Sequence, residues 1–444
     1  MSSIMWFRRD LRLRDHPALQ EAAKQGPVLP VFVFDPKQLA GHEAVSRTYL
    51  FRSVRALNEQ LDGKLCVRIG DPLQVIPALA KEIAAEAVHI SADYGNYGRA
   101  RDAAAEAALG DTPLVRTGSP YAVAPGRVLK SDGTPYRVYT PFYKAWLAHG
   151  WRKPATASSI EFLSLKADAI PADDDLGSLA LPAAGELAAL DRWAWFKTNA
   201  LADYADMRDR ADIDGTSQLS GPLRFGEIHP RTLLAGLGDE RGHEVFRKEI
   251  CWREFYADVL WNAPHTATEY LDERFTRMQY DTGSTADARL QAWKQGRTGY
   301  PFVDAGMRQL LAEGWMHNRV RMVTASFLVK DLHLEWQQGA AWFAQWLRDF
   351  DLASNQHGWQ WTAGCGTDAA PYFRIFNPVT QGLRFDPDGD YVRRYIPELA
   401  HIAGKQVHEP WDVIDGYANG YAERIVDHAA ERDESLRRYE AIKG

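Results

Sequence analysis

Residues 299–332, GYPFVDAGMRQLLAEGWMHNRVRMVTASFLVKDL, repeat apolar side chains at helical spacing in two runs parted by Gly314. HEVFRKEICWREFYADVLWN (243–262) and GAAWFAQWLRDF (339–350) do the same, so the chain reads as all-α from 196 to 444. The other end contrasts with this. SIMWF (3–7), VLPVFVF (28–34), KLCVRI (64–69), AVHIS (87–91) and PLVRT (113–117) read as buried strands, with helical periodicity near 46–62, 72–86 and 99–109. That alternation predicts an α/β domain over 1–130, a parallel sheet covered by helices on both faces. Between them, 131–195 is rich in Pro, Ser and Ala-Asp, as in ADAIPADDDLGSLALPAAGEL, and reads as an irregular connector.

At 444 residues, 45% apolar and 25% charged, the chain has globular composition and length for more than one core. No apolar run is long enough to span a bilayer, and the arginine-bearing start MSSIMWFRRDLRLRDHPAL lacks the features of a secretory signal, so a cytoplasmic protein is expected. Cys66, Cys251 and Cys365 lie too far apart for a CxxC site and read as free thiols; no metal site is expected. The net charge of −7 argues weakly against a nucleic-acid partner, because a local ring of arginines can still grip phosphates. Neither GxGxxG nor a phosphate loop follows the first strand.

DFDLASNQHGWQW, 349–361, packs Asp349, Asp351, Asn355, Trp359 and Trp361 into a stretch that makes a poor amphipathic helix. Ten of the fifteen tryptophans fall between 252 and 411, and Trp293, Trp315, Trp342 and Trp346 read as core. Glu249 and Trp252, three apart, share a helix face; a carboxylate beside an indole could bind a planar ligand, but from this pair alone a core Trp near a half-buried Glu is the better reading. In DGTSQLSGPLRFGEI (214–228), small hydroxylated residues before a helical run suit a phosphate or ordinary capping. Asn318, Arg319, Arg321 and Met322 fall on about two turns of one helix, and His317 reads as structural.

Together with EICWREFYADVLW, DFDLASNQHGWQWTAGCGTDAAPYFRIFNPVTQGLRFD and YIPEL, these stretches resemble the photolyase/cryptochrome family, and within it the class I cyclobutane pyrimidine dimer photolyases. The resemblance covers nearly the whole chain. It implies a Rossmann-like antenna domain, a linker, and a helical domain that buries FAD. By the same resemblance, Tyr204, Thr216, Ser217, Gln218, Leu219, Ser220, Phe246, Arg321, Asp349, Phe350, Asp351 and Asn355 hold FAD, Arg321 pairing with Asp349 and Asn355 facing flavin N5. Excited reduced FAD would donate an electron to a dimer flipped out of UV-damaged duplex DNA and split it into two pyrimidines. Glu249, Asn318, Asn355 and Met322 take catalytic positions; Arg208, Trp252, Arg253, Tyr256, Arg319, Trp361 and Gln381 join Glu249 and Asn318 against the lesion and its DNA.

Trp359 and Trp336 match two members of an electron-hopping chain, and Tyr280 stands where most relatives have a surface tryptophan. Asp35, Arg47 and NYGRARD (96–102) resemble binders of 8-hydroxy-deazaflavin more than of methenyltetrahydrofolate as antenna. Repair of (6-4) lesions is disfavoured because no histidine stands at 318 or 322. A cryptochrome-like light sensor is the alternative; the retained Glu249, Trp252 and Trp361 and the short segment after YIPEL favour the enzyme. The family resemblance implies a monomer with no obligate protein partner.

Overall fold

A computed structural model describes residues 2–156, 159–368 and 373–443. Five strands, β1 (Ser2–Phe7), β2 (Val28–Phe34), β3 (Cys66–Ile69), β4 (Ala85–Ile90) and β5 (Leu114–Arg116), form one sheet in the order β3-β2-β1-β4-β5, every neighbouring pair parallel. The two-residue period sets both faces: Ile4 and Trp6 pack with Val31 and Val88 on one side, Met5 and Phe7 with Phe34 and Val54 on the other. Burial on both sides is why these strands read as continuous apolar runs. The strand order reverses beside β1, so Arg8 and Arg9, just past its carboxyl end, stand where open α/β sheets gather ligands.

The connector is less irregular than its composition suggests. Helix Tyr139–His149 lies inside it, because Tyr139, Phe142, Tyr143 and Trp146 are buried in a shared core with Phe246, Ile250 and Phe255. Helix Glu186–Asn199 also begins within it. The intervening strap lies on the α/β domain, where Asp173 and Asp174 pair with Arg52 and Arg47 of helix Ala44–Gln60 at 2.8 and 2.9 Å.

The later half is helical. Its principal elements are Arg241–Asn262, Pro301–Glu313, Asn318–Ser326, Trp336–Trp346, Leu352–Ala363 and His428–Ile442, with a π-helical turn at Phe327–Asp331. Residues 352–363, which lack an amphipathic pattern, form a helix nonetheless, started by Asp351, whose carboxylate accepts from Ser354 N at 3.2 Å. The apolar stripe is missing because Ala353, His357, Trp359, Gln360 and Thr362 are buried on different sides of this helix. Gly339 permits that packing: a Cβ there would stand 2.1 Å from the Trp359 indole.

The halves meet tightly. Arg9 Nη2 donates to Asp351 at 2.7 Å and Leu11 N to Phe225 O at 3.2 Å. Gly226 sits at φ +71, and a Cβ would fall 2.0 Å from Arg9 O, so only glycine makes this junction. Cys66, Cys251 and Cys365 are buried free thiols. Among the described residues, no helix is long and apolar enough to cross a membrane.

Candidate functional site

A cavity of about 560 Å³ opens between the helices of the later half. Helix Arg241–Asn262 supplies Phe246, Glu249, Trp252, Arg253 and Tyr256, a set spaced to share one face. Helix Asn318–Ser326 supplies Asn318, Arg319, Arg321 and Met322. Its start is fixed by His317, whose Nδ1 accepts from Arg319 N at 3.2 Å. That bond needs a neutral ring, and burial pushes the His317 pKa down to about 4. Asp349, Phe350, Asp351, Asn355, Trp359 and Trp361 enter from the third side, while Tyr204, Arg208, Ser217 and Ser220 close the fourth.

The charges are arranged in pairs along the wall. Arg321 meets Asp349 at 2.8 Å, Arg319 meets Asp209 at 2.7 Å, and Arg208 donates to Glu249. Burial pushes the Glu249 carboxyl up, against the pull of Arg208. At Asp351 burial also favours the neutral acid, but Arg9, Arg224 and Arg253 together outweigh it and hold the carboxyl below the usual carboxylate range. Arg224, pushed down to about 10 by burial and then by Arg9, donates from Nε to Phe350 O at 2.6 Å.

Several buried polar atoms of this wall have no partner among the described residues: Asp349 Oδ1, Arg319 Nε and Trp359 Nε1. Such atoms are costly unless something else meets them. Asn355 spends its amide hydrogens on Ala340 O at 3.2 Å and Gln356 Oε1 at 2.8 Å, so its carbonyl oxygen is what remains for a bound molecule. Trp252 has one face covered by Tyr139, the rings 3.7 Å apart and 7° from parallel. Arg374 lies over Trp361 at 5.2 Å.

Matching these surroundings, residues 3–159 fit the DNA photolyase domain and 246–441 the FAD-binding domain of DNA photolyase. A deoxyribodipyrimidine photo-lyase of Alkalihalophilus pseudofirmus is 39% identical, over 97% of this chain and 96% of its own. The chain belongs to the DNA photolyase family. A class III photolyase from Agrobacterium tumefaciens superposes with a TM-score of 0.90 at 36% identity, covering 100% of this chain and 98% of that one. A Synechocystis cryptochrome superposes with a TM-score of 0.87 at 28% identity, over 98% of both chains. The family's two-part fold, an α/β sheet domain followed by a helical FAD-binding domain, is therefore the fold described above.

Not every residue expected at this photolyase site lines the cavity. Thr216, Gln218 and Leu219 belong to the same turn as Ser217 but are not among the lining residues: the Thr216 backbone carbonyl accepts from Arg192, the Gln218 side chain donates to Asp214 at 3.1 Å, and Leu219 is core. Gln381 lies off the lining with a buried, unpartnered Oε1. Trp336 is buried in the same aromatic core as Trp359, and Tyr270 packs edge-on to it at 6.3 Å. Tyr280 adjoins Tyr270; burial and then that neighbour raise its phenol far above the ordinary range.

Asp35 and Arg47 are not brought together. Asp35 caps Pro36–Leu39, accepts from Tyr97 Oη and borders a separate cleft of about 30 Å³ with Trp6, Arg8, His42 and Arg101. Arg47 is held by Asp174, because the connector presents that acid where sequence alone shows only a distant residue. Conversely, Arg9, Arg224 and Arg374 belong to the site's surroundings and went unmarked. Arg9 had a signal, its position just after the first strand; Arg374 had none.

Proposed function

We propose that this photolyase repairs cyclobutane pyrimidine dimers in UV-damaged DNA, driven by blue or near-UV light, as a monomer of the class I kind. The supporting observation is that Glu249, Trp252, Met322 and Trp361, half-buried, and the exposed Asn318 line the same space as the buried Asp349 and Trp359, with Asp351 and Asn355 beside them. The set of Asp349, Asp351, Asn355 and Trp359 fits FAD, since Asp349 Oδ1 and Trp359 Nε1 are buried with no partner among the described residues and the Asn355 carbonyl is unspent. Asp349, Asp351, Asn355 and Arg321 would hold the flavin, and Tyr204, Ser217, Ser220 and Phe246 the remainder.

Bound in reduced form, FAD supplies an electron on excitation. Ring opening breaks two carbon–carbon bonds with no net redox change, so the chain's work is to hold the lesion dry and oriented. Trp252, backed by Tyr139, and Trp361 act as walls for the extruded bases. Asn318 offers an amide donor where negative charge develops, and Glu249, whose carboxyl burial pushes up against the pull of Arg208, hydrogen-bonds the dimer beside it. Arg208, Arg253, Tyr256, Arg319 and Gln381 are assigned to the DNA around the lesion. Asn355 keeps a neutral group beside the flavin where a carboxylate would add charge.

Trp359, Trp336 and Tyr280 form the proposed photoreduction path, with Tyr270 between the last two. An antenna, 8-hydroxy-deazaflavin before methenyltetrahydrofolate, is a separate proposal supported only by the Asp35 cleft; Tyr97 must swing away from Asp35 to admit it.

The test compares defined duplexes bearing one cyclobutane dimer or one (6-4) product. The expected result is light-dependent repair of the first alone, with Glu249→Ala lowering repair per absorbed photon more than affinity. Repair of the (6-4) duplex, or neither, would overturn the assignment, the latter in favour of a light sensor.

A further inference from the structure

Behind the Trp361 wall lies a buried lysine outside the cavity lining. Lys330 is 2% exposed and sits in the π-helical turn Phe327–Asp331, an uncommon conformation that recurs at functional positions. Its Nζ donates to the backbone carbonyl of Arg374 and stands 4.3 Å over the Phe373 ring. The other side of Phe373 is stacked on Tyr439 of helix His428–Ile442, 4.3 Å away and 9° from parallel. The end of this turn and the residues just after it fasten that helix: His428 bonds Asp331, and Glu431 meets His333 at 2.7 Å. Arg374, so anchored at its backbone, extends its guanidinium over Trp361 at the cavity.

We propose that Lys330 is a positioning residue for lesion binding, acting through Arg374: with Phe373 and Tyr439 it clamps the segment that holds the Arg374 guanidinium against Trp361, where an anionic phosphate flanking the lesion can meet it. The inference rests on the dimer-repair reading of the cavity. Lys330 reaches no cavity atom itself; burial pushes its pKa down to about 7, and among the described residues Asp331 and the ring of Phe373 offset that cost. An isosteric apolar side chain would fill the same space, so packing alone does not account for a lysine.

The experiment measures Kd for a duplex with a single dimer and for the intact duplex, together with repair per photon at saturation and FAD content. It uses full-length Lys330→Met, Arg374→Ala, the double variant, and Tyr439→Leu, which relaxes the clamp from its half-buried side. Lys330→Met and Arg374→Ala should each weaken lesion binding roughly tenfold, the double variant no more than either, and the loss should be larger in Kd than in photon yield. Tyr439→Leu should weaken binding about threefold. Additive losses in the double variant, or lesion affinity unchanged in both Lys330→Met and Tyr439→Leu, would overturn the role of Lys330. Wild-type protein that does not prefer the lesion would overturn the repair reading and this inference with it.

Discussion

Two recesses of the molecule are lined by arginines and carboxylates, and they differ in what those charges leave over. In the α/β cleft, Arg8 meets Asp102 at 3.0 Å, Arg101 meets Asp102 at 2.8 Å, and Tyr97 closes on Asp35, so about 30 Å³ remains. The helical cavity also pairs its charges, yet keeps about 560 Å³ and buried polar atoms with no partner. The first leaves Arg8 Nε without a partner among the described residues but has little room to fill; the second has both such atoms and the volume for a ligand.

The comparison breaks most visibly at Asp351, which caps its helix and neutralises Arg9 across the junction. Asp351→Ala should cost about 3–5 kcal/mol in urea unfolding and release FAD, because the half-buried Arg9 loses its ion-pair partner, Arg224 a neighbouring opposite charge, and the helix its cap. A substitution in the α/β cleft's periphery should do neither.

Acid is the next lever. His317 has a folded pKa of about 4, below the ordinary 6.5, so the unfolded chain takes up the proton first as pH falls. Its contribution is complete above about 6.5 and is lost as pH drops toward 4, on the order of 3 kcal/mol in all. His317→Asn retains a capping side chain that does not titrate, and its unfolding free energy should fall less steeply than wild type over that window. Parallel curves would remove His317 from the account.

Smaller effects sharpen the comparison. Trp252→Ala should weaken binding of dimer-containing DNA about tenfold, with FAD content unchanged, as expected for a stacking wall. Tyr97→Phe frees the Asp35 carboxylate, and should increase uptake of added 8-hydroxy-deazaflavin, read as a new absorption band, while leaving dimer repair without antenna within about twofold. If neither protein takes up the chromophore, the antenna assignment fails and the main cavity is unaffected.

What could be read beforehand follows from how local each signal is. Parallel strands buried on both faces announce themselves as apolar runs, and the long helices by their period. Helix Leu352–Ala363 hid its period because it is surrounded by core, by Asn355's cavity and by Trp361's surface side at once. The site residues that share a helix face, Glu249 with Trp252 and Asn318 with Met322, were accessible from spacing; their roles came from resemblance. Arg47 misled because its partner, Asp174, comes from the connector. Helix Tyr139–His149 was obscured by the Pro- and Ser-rich residues that follow it.

The most direct measurement follows the absorbance of UV-irradiated oligothymidine mixed with FAD-reduced protein under blue light, beside a dark sample. The account predicts recovery of the thymine band in the light alone. Flavin bound and reduced with no recovery would contradict it, leaving a cofactor pocket without a repair function.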